Sequence, residues 1–470
     1  MSTINQTSTN KDSAINSLTI AKKISLLPLV GIIFFTVSGG AFGLEPLISQ
    51  MNPGWTVVLL ILTPLFWSLP TALMVAELSS MMPQEGGYYR WVRIAMGDFW
   101  GVMQGWWTIC FTTVDMAIYP VLFVNYLAYF FPQLALDENG TASIPVLISR
   151  WLVAIVIICL SLFFNYLGAR TVGRSALLNT FLVLLPFLIF ILIGMFTSGT
   201  FANSISAIKA GLAQRPVSGA IASGLAVVLW NYCAWDNVST FAGEVNDPQH
   251  TYPRALGLAL PLVILAYSLP VLIGLGITTS PSVWNESAGW PVIAEIIGGK
   301  WLGILLALAA LVSAWGLFNS QLLYVSRLPY AMAQDGWLPS IFTRTSQKTD
   351  VPIVALLVSS GITALFCALS FGKLVIIDIL LYGAELSLQF IALLVLRIKH
   401  PNFPRPFRIP GNWPLLLFVV ISPLAVTAIV IIASIKEAED NNQLFIVPIL
   451  MASALLVYFW RRSKVKSKEK

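Results

Sequence analysis

The chain has 470 residues, of which 57% are hydrophobic and only 10% are charged. Soluble domains carry roughly 25% charged residues, and a mean hydropathy of +0.81 means that much of the apolar surface faces something other than water. The net charge of +6 matters less than its distribution along the chain. This composition excludes a soluble enzyme, a nucleic-acid-binding protein and a disordered protein. It predicts an all-α integral membrane protein in a lipid bilayer.

The cysteines and histidines argue against metal and disulfide chemistry. All four cysteines (Cys110, Cys159, Cys233 and Cys367) lie in apolar segments without CxxC spacing, which is typical of small buried hydrophobic residues. With only His250 and His400, a histidine-built metal centre is not expected. We therefore expect no metal and no cofactor.

The apolar segments predict twelve transmembrane helices, because a helix needs roughly 20 apolar residues to cross the hydrocarbon core. The loops between them are short, so no soluble domain is inserted. A polar tail at 1–20, expected to be disordered and cytoplasmic, precedes the spans, and a basic cytoplasmic tail at 463–470 follows them. The predicted spans are 25–49, 54–82, 99–131, 146–166, 175–198, 217–246, 254–278, 302–333, 352–369, 374–398, 412–434 and 443–462.

The basic residues predict the orientation. With the N-terminus in the cytoplasm, 21 of the 27 Lys and Arg residues fall on the cytoplasmic side, including the run from Arg461 to Lys470. This bias follows the positive-inside rule. It predicts a multi-pass protein of the plasma membrane or the bacterial inner membrane, with both termini in the cytoplasm.

Two of the predicted spans are interrupted near their middle. Span one contains Gly39, Gly40 and Gly43, which weaken a helix and let a ligand approach the backbone; close packing against a neighbouring helix is the alternative. In span six, helix formers give way to the residues from Trp230 to Asp236. A charged Asp236 at mid-membrane costs about 2.5–3.5 kcal/mol, so its side chain must face protein, water or a ligand. Interruptions five spans apart predict an inverted-repeat transporter with the substrate between the broken helices.

Motifs in the same order along most of the chain carry a family resemblance. They are Ser38-Gly39-Gly40, Glu77-Leu78, Pro83-x-Glu85-Gly86-Gly87-Tyr88, TTVDMAIYPVLFVNYL, WNYCAWDNVSTFAGEVNDPQHTYPRAL, AQDGWLP and LRIKHPNFPRPFRIP. From Leu18 to about Pro414 the chain resembles the amino acid–polyamine–organocation superfamily, and within it the polyamine-uptake branch known best from plants. The resemblance implies a five-plus-five inverted-repeat core at 21–400, with halves near 21–200 and 215–400, and two additional helices at 411–462.

The resemblance also implies a substrate site at the two interruptions. Exposed backbone in span one would hold a carboxylate, and freed carbonyls in span six would face an amino group. The residues are Ser38, Gly39 and Gly40 on one wall, Tyr232, Cys233 and Ala234 on the other, and Trp235 as an aromatic gate, for which core packing is the alternative. In the same family Glu77 belongs to a gating or loop signature at the cytoplasmic end of span two.

Acidic side chains add negative charge near this site. Asp115 lies midway along span three, and with Asp236 and Glu45 it gives up to three carboxylates around one vestibule. That is more than the single ammonium group of a neutral amino acid needs. Glu45 is an entrance candidate, although it can also be an exposed interfacial residue, and Asp115 can be neutralised by a neighbouring Tyr or Asn. Asp378, close to the start of span ten, is expected to be partly solvated, whereas Glu385 lies deeper.

The coupling ion stays open between a proton and sodium. Some bacterial relatives carry a lysine in span five in place of a sodium ion, but span five here (Leu177 to Phe196) has no Lys, Arg, Asp or Glu. Either a buried carboxyl group carries a proton, or hydroxyl groups of span eight help to hold sodium. The proton candidates are Asp115, Asp236 and Glu385, and the sodium candidates are Ser313 and Ser320.

These features predict a secondary active transporter that imports polyamines or amino acids by alternating access, with a proton as the expected coupling ion. The chain contains no GxxxxGK[ST] pattern for ATP binding, and two histidines outside the mid-membrane segments do not supply an enzyme site. The alternatives are a sodium-coupled or exchange-mode amino-acid permease of the same fold, and a transporter-like sensor without transport. We expect a small-molecule amine or amino-acid substrate, no nucleic-acid partner and function as a monomer.

Overall fold

The described part of the chain is α-helical. A computed structural model describes residues 24–84, 86–137, 141–167, 169–214, 220–284, 289–346, 349, 351–437 and 445–466. Within these ranges there is no β-strand and only two isolated β-bridges, which confirms the all-α prediction there. The tail predicted at 1–20 lies outside the described residues, and the tail predicted at 463–470 overlaps them only in the last helical turn.

The described residues contain seventeen α-helices, and the third of them includes a π-helical turn at Pro64–Ser68. A 3₁₀-helix at Asn237–Glu244 follows the ninth. The α-helices are α1 (Leu26–Val37), α2 (Glu45–Gln50), α3 (Pro53–Met81), α4 (Gly87–Met96), α5 (Asp98–Leu127), α6 (Ile144–Tyr166), α7 (Ala169–Phe196), α8 (Thr200–Leu212), α9 (Ala220–Asn231), α10 (Pro248–Ile277), α11 (Gly289–Gly298), α12 (Lys300–Val325), α13 (Arg327–Gln334), α14 (Ile353–Phe366), α15 (Phe371–Lys399), α16 (Asn412–Glu437) and α17 (Ile446–Lys466).

Eight stretches in the described residues are long and apolar enough to cross a membrane. They correspond to predicted spans two, three, four, five, seven, eight, ten and eleven. Helices also occur at the other four predicted spans, but α1, α9 and α14 are only 12, 12 and 14 residues long. A multi-pass membrane fold is therefore established, while the count of twelve stays a prediction.

The connections contain helices that the sequence analysis did not predict. Helices α4, α8 and α11 lie between membrane segments and are 10 to 13 residues long. A search for apolar segments of membrane length cannot detect such short helices. Predicted span eight is likewise divided, because α12 ends at Val325 and α13 begins at Arg327.

Helices α5 and α15 form the centre of the bundle and pack against each other along their lengths. In their most apolar stretches 78% and 72% of the residues are buried, against 28% in α6. Helix α6 instead exposes leucine, isoleucine and phenylalanine side chains such as Leu152 and Phe163, as a lipid-facing helix does. Polar side chains in the middle of α5 and α15 consequently face other helices rather than solvent or lipid.

Candidate functional site

The predicted interruption of span one is confirmed. Residues 38–44, between the end of α1 and the start of α2, are non-helical. Gly39 and Gly40 have φ angles of +59° and +96°, a region that strains residues with a Cβ atom. A Cβ on Gly39 would also lie 2.4 Å from Leu317 Cδ1. Glycine is thus needed both for the turn and for the close approach of the backbone to α12.

The predicted interruption of span six is also confirmed. Helix α9 ends at Asn231, and the chain resumes as a 3₁₀-helix only at Asn237. Between them Ala234 has a φ of +67°, which is a strained conformation for alanine. The Ala234 amide donates to the Tyr382 hydroxyl at 3.2 Å, and that hydroxyl donates to Asp236 Oδ1 at 2.9 Å. Helix α15 therefore holds the strained segment in place.

The two interruptions lie side by side, as predicted. The Tyr267 hydroxyl, on α10, donates to the Asn231 carbonyl at 2.7 Å and lies 3.2 Å from the Val37 carbonyl oxygen. These are the last residues of α9 and α1, so their carbonyls have no partner within their helices. The C-terminus of a helix carries a partial negative charge. Two such ends meeting at one tyrosine create a region that attracts cations.

Tyr232 anchors the second interruption to α3. Pro64 has no N–H group, so the carbonyl of Leu60, four residues earlier, lacks its helical donor. The Tyr232 hydroxyl supplies that donor at 3.0 Å. The Tyr232 carbonyl accepts from the Trp235 indole at 2.9 Å and the Ala234 carbonyl from the Asn237 amide at 3.3 Å. Two of the three carbonyls predicted to face a substrate are therefore already paired in this conformation.

A closed cavity of about 10 Å³ lies between the interruptions, roughly the space of one water molecule. Its lining includes Ser38, Tyr119, Trp230, Cys233 and Ser313. The predicted gate, Trp235, is fully buried and is not among the described residues that line this cavity. The aromatic side chain that faces the cavity from span six is Trp230.

Asp115 lies directly behind this cavity wall. It is fully buried, and its carboxylate accepts from the Trp230 indole at 3.1 Å and from the Tyr119 hydroxyl at 3.1 Å. Gln321, on α12, donates in turn to the Tyr119 hydroxyl. The alternative interpretation expected a neighbouring tyrosine beside Asp115, and Tyr119 is that tyrosine. However, Tyr119 and Trp230, the two donors to Asp115, also line the cavity.

Asp236 and Glu385 form a buried pair of carboxyl groups. Gln389 donates to Asp236 Oδ2 at 2.6 Å and to Glu385 Oε2 at 3.2 Å, and the two carboxyl groups interact electrostatically. Thr108 donates to Glu385 Oε2 at 2.8 Å, and Gln104 donates to the same oxygen. Both acids are fully buried. The structure thus joins the acids predicted on spans six and ten through neutral donors from α5 and α15.

The expectation that Asp378 is partly solvated is wrong. Its side chain is fully buried, and neither of its oxygens has a hydrogen-bond partner among the described residues. Although it lies only two turns from the start of α15, that helix is central and is covered on this side. Phe371, in the first turn, is itself buried and packs edge-on against Trp230 with ring centroids 5.4 Å apart.

Glu45 is buried as well, with an exposed fraction of 1%, so the alternative of an exposed interfacial carboxylate is wrong. It accepts from the Gly43 amide at 2.8 Å and from the Tyr126 hydroxyl at 2.5 Å. A carboxylate in the first turn of α2 also suits the partial positive charge of a helix N-terminus. These contacts explain how Glu45 stabilises the turn; its role at an entrance stays a prediction.

The structure does not bring Ser313 and Ser320 together. The Ser313 hydroxyl donates to the Gly39 carbonyl at 2.5 Å, which joins α12 to the first interruption. Ser320 lies seven residues further along the same helix, or about 10 Å. The two hydroxyl groups therefore cannot coordinate one sodium ion together.

Sequence reasoning missed the neutral polar residues that surround the acids. Gln104, Thr108, Tyr119, Tyr382 and Gln389 all contact a site carboxylate. The signal was present as helical spacing, since polar residues recur every three, four or seven positions along spans three and ten and so share one helix face. The polar faces of α5 and α15 together are called the polar seam. It comprises Gln104, Thr108, Asp115 and Tyr119 of α5 and Asp378, Tyr382, Glu385 and Gln389 of α15.

Comparisons with known proteins agree with this architecture. The family model for amino acid permeases matches residues 24–455. A probable polyamine transporter of Arabidopsis thaliana is 33% identical over 95% of this chain and 86% of its own length. A second polyamine transporter of that plant is 37% identical over 83% of this chain and 76% of its own length. An aspartate–proton symporter of Bacillus subtilis is 25% identical over 83% and 76%.

These relatives are transporters by name, and the family model spans both interruptions and the polar seam. The family model matches most of the chain, and two of these relatives are more than 30% identical to it. Together these findings show to which family the chain belongs. The chain is a multi-pass membrane transporter of the amino acid permease family and not an enzyme.

Proposed function

We propose that the chain is a secondary active transporter that imports polyamines by alternating access and is driven by a proton gradient. An amino-acid permease of the same fold is the second candidate. Relatives named as polyamine transporters support the first, and a relative named as an aspartate–proton symporter supports the second and also the use of protons. The orientation with both termini in the cytoplasm, the twelve-span inverted repeat and function as a monomer belong to the same proposal.

The observation that carries the proposal is the concentration of negative charge at the bundle centre. Four fully buried carboxyl groups lie on α5, on α15 and in the span-six interruption, next to the converging C-termini of α1 and α9. None of the ion pairs in the described ranges includes any of the four. Buried charges are normally paired, so this site suits a substrate with more than one ammonium group. The four are Asp115, Asp236, Asp378 and Glu385.

The small central cavity supports alternating access. A cavity of about 10 Å³ holds no polyamine, so the bundle has to open in order to admit and release one. The non-helical segments 38–44 and 232–236 adjoin the cavity and provide the points about which the short helices can move. Such broken helices at a mid-membrane site are typical of alternating-access transporters.

Asp236 and Glu385 are the proposed proton site. Two adjacent carboxyl groups in a buried setting cannot both be ionised without a large cost, so the pair holds one proton between them. Gln389 donates to both groups and keeps them together in either protonation state. Water that enters when the bundle opens to the cytoplasm stabilises the charged form and favours release of the proton.

A competition assay tests the substrate class. The purified full chain, reconstituted in proteoliposomes, should accumulate radiolabelled putrescine, and unlabelled putrescine or spermidine should inhibit uptake at least as well as leucine. The reason is that one ammonium group cannot compensate the carboxyl groups that stay ionised when the Asp236–Glu385 pair holds one proton. If leucine outcompetes every cationic amine, the polyamine proposal is wrong and the amino-acid permease takes its place. If no label accumulates with any substrate, transport itself is contradicted and a sensor becomes the better account.

A further inference from the structure

Asp378 is the one member of the four-carboxyl group with no hydrogen-bond partner among the described residues. Asp115, Asp236 and Glu385 each accept from at least two side chains, whereas both Asp378 oxygens are buried and unpaired. Neither protonation state satisfies it, because an ionised carboxyl needs donors and a protonated one needs an acceptor for its hydrogen. An unpaired buried polar group costs free energy, and one that persists beside a binding cavity points to a partner that arrives with the ligand.

The surroundings of Asp378 identify where that partner would come from. Asp378 interacts electrostatically with Tyr119 and Cys233, two residues that line the closed cavity, and with Asp115. It lies one helical turn from Tyr382, on the same face of α15. Asp378 is thus separated from the cavity by side chains of α5 and of the span-six interruption.

We infer that Asp378 binds the second ammonium group of a linear diamine whose first ammonium group lies between the helix ends at Val37 and Asn231. This inference rests on the proposed function and names the residue that distinguishes a diamine from a monoamine. The helix-end carbonyls and Asp115 provide negative charge for the first group, but the Asp115 oxygens are already occupied by Trp230 and Tyr119. Asp378 alone has both oxygens available for the N–H donors of a second ammonium group, which would make charge-assisted hydrogen bonds there.

The test compares putrescine with butylamine, which has the same carbon chain and a single ammonium group. Binding to the purified full chain is measured by ligand-induced thermal stabilisation. The unmodified chain should bind putrescine about tenfold to a hundredfold more tightly than butylamine, the usual range for a charged hydrogen-bonded partner. In Asp378→Asn this preference should fall to about onefold, with butylamine affinity unchanged. Ser387→Ala is the matched control, since Ser387 lies on α15 and bonds locally to the Gly383 carbonyl at 2.6 Å; it should keep the full preference.

Retention of the putrescine preference in Asp378→Asn overturns the inference but leaves amine transport intact. If sodium stabilises the unmodified chain but not Asp378→Asn, and the putrescine preference is unchanged, the inference is also overturned and Asp378 is an ion site. If the unmodified chain binds and accumulates no amine at all, the proposed polyamine function fails, and the inference fails with it.

If Asp378→Asn does not fold, the inference is tested on the unmodified chain by labelling its carboxyl groups with a carbodiimide. Putrescine should protect Asp378 from labelling and butylamine should not; equal protection by both overturns the inference.

Discussion

Replacing Glu385 with glutamine is expected to abolish proton-driven accumulation while leaving exchange of substrate intact. For a transporter that carries one proton per substrate, each unit of imposed pH difference supports about tenfold accumulation. Glu385→Gln keeps the shape of the side chain and its contacts with Thr108 and Gln389, but it cannot bind or release a proton. We therefore expect accumulation to fall from about tenfold to about onefold in proteoliposomes with an imposed gradient of one pH unit.

The control for this variant is Glu295→Gln, which removes an acid outside the polar seam. Glu295 lies on the connecting helix α11 and accepts from the Tyr129 hydroxyl, so its neutralisation should leave accumulation near tenfold. Exchange of labelled for unlabelled substrate, measured without a pH gradient, should continue in both variants. Undiminished accumulation in Glu385→Gln would contradict the assignment of the proton to the Asp236–Glu385 pair.

The second large effect concerns the stability of the fold at Glu77. This carboxylate is fully buried and receives two hydrogen bonds from Arg397, at 2.6 and 2.5 Å. It also accepts from the Ile409 amide at 2.9 Å and lies 3.3 Å from Arg405. Helix α3, the end of α15 and the segment after it thus meet at one side chain. Removing it in Glu77→Ala leaves a buried arginine without its partner, and we expect a loss of about 3–5 kcal/mol.

Thermal unfolding of the purified chain in detergent measures this loss as a lower unfolding midpoint. Asp98→Ala is the matched control, because the Arg93–Asp98 pair has a similar distance of 2.6 Å but its side chains are 32% and 56% exposed. An exposed pair contributes about 0–1 kcal/mol, so that midpoint should barely change. If Glu77→Ala is as stable as the control and its transport rate rises, Glu77 acts as a gate rather than as a structural centre.

Much of the helical framework could be predicted because hydropathy reports it directly. The long apolar segments became helices at the expected places, and the glycines of span one marked its interruption. The short helices α4, α8 and α11 escaped because they lie below membrane length. The position of Asp378 was predicted wrongly for a different reason: distance from a helix end does not reveal whether other helices cover that end, and the centrality of α15 is a property of tertiary packing.

The candidate site was predictable only in part. Acids at Asp115, Asp236 and Glu385 stand out in apolar sequence because charge is costly there. Their donors, such as Thr108 and Gln389, are neutral and carry no such cost, so only their helical spacing relative to the acids could have identified them. The family resemblance also implied Trp235 as the gate, whereas the indole of span six that lines the cavity is that of Trp230. Trp230 lies at the end of α9, whereas Trp235 lies beyond the strained turn at Ala234, so different local backbone conformations orient the two indoles.

The central claim is that a proton gradient drives uptake of a polyamine through this chain. The most direct measurement is uptake of radiolabelled putrescine by proteoliposomes that contain the unmodified chain, with an inward proton gradient imposed and sodium present or absent. Our account predicts accumulation that rises with the pH difference and is the same without sodium. Uptake that requires sodium and does not respond to pH would contradict it, and would direct attention to the oxygens of Gly39 and Ser313 instead.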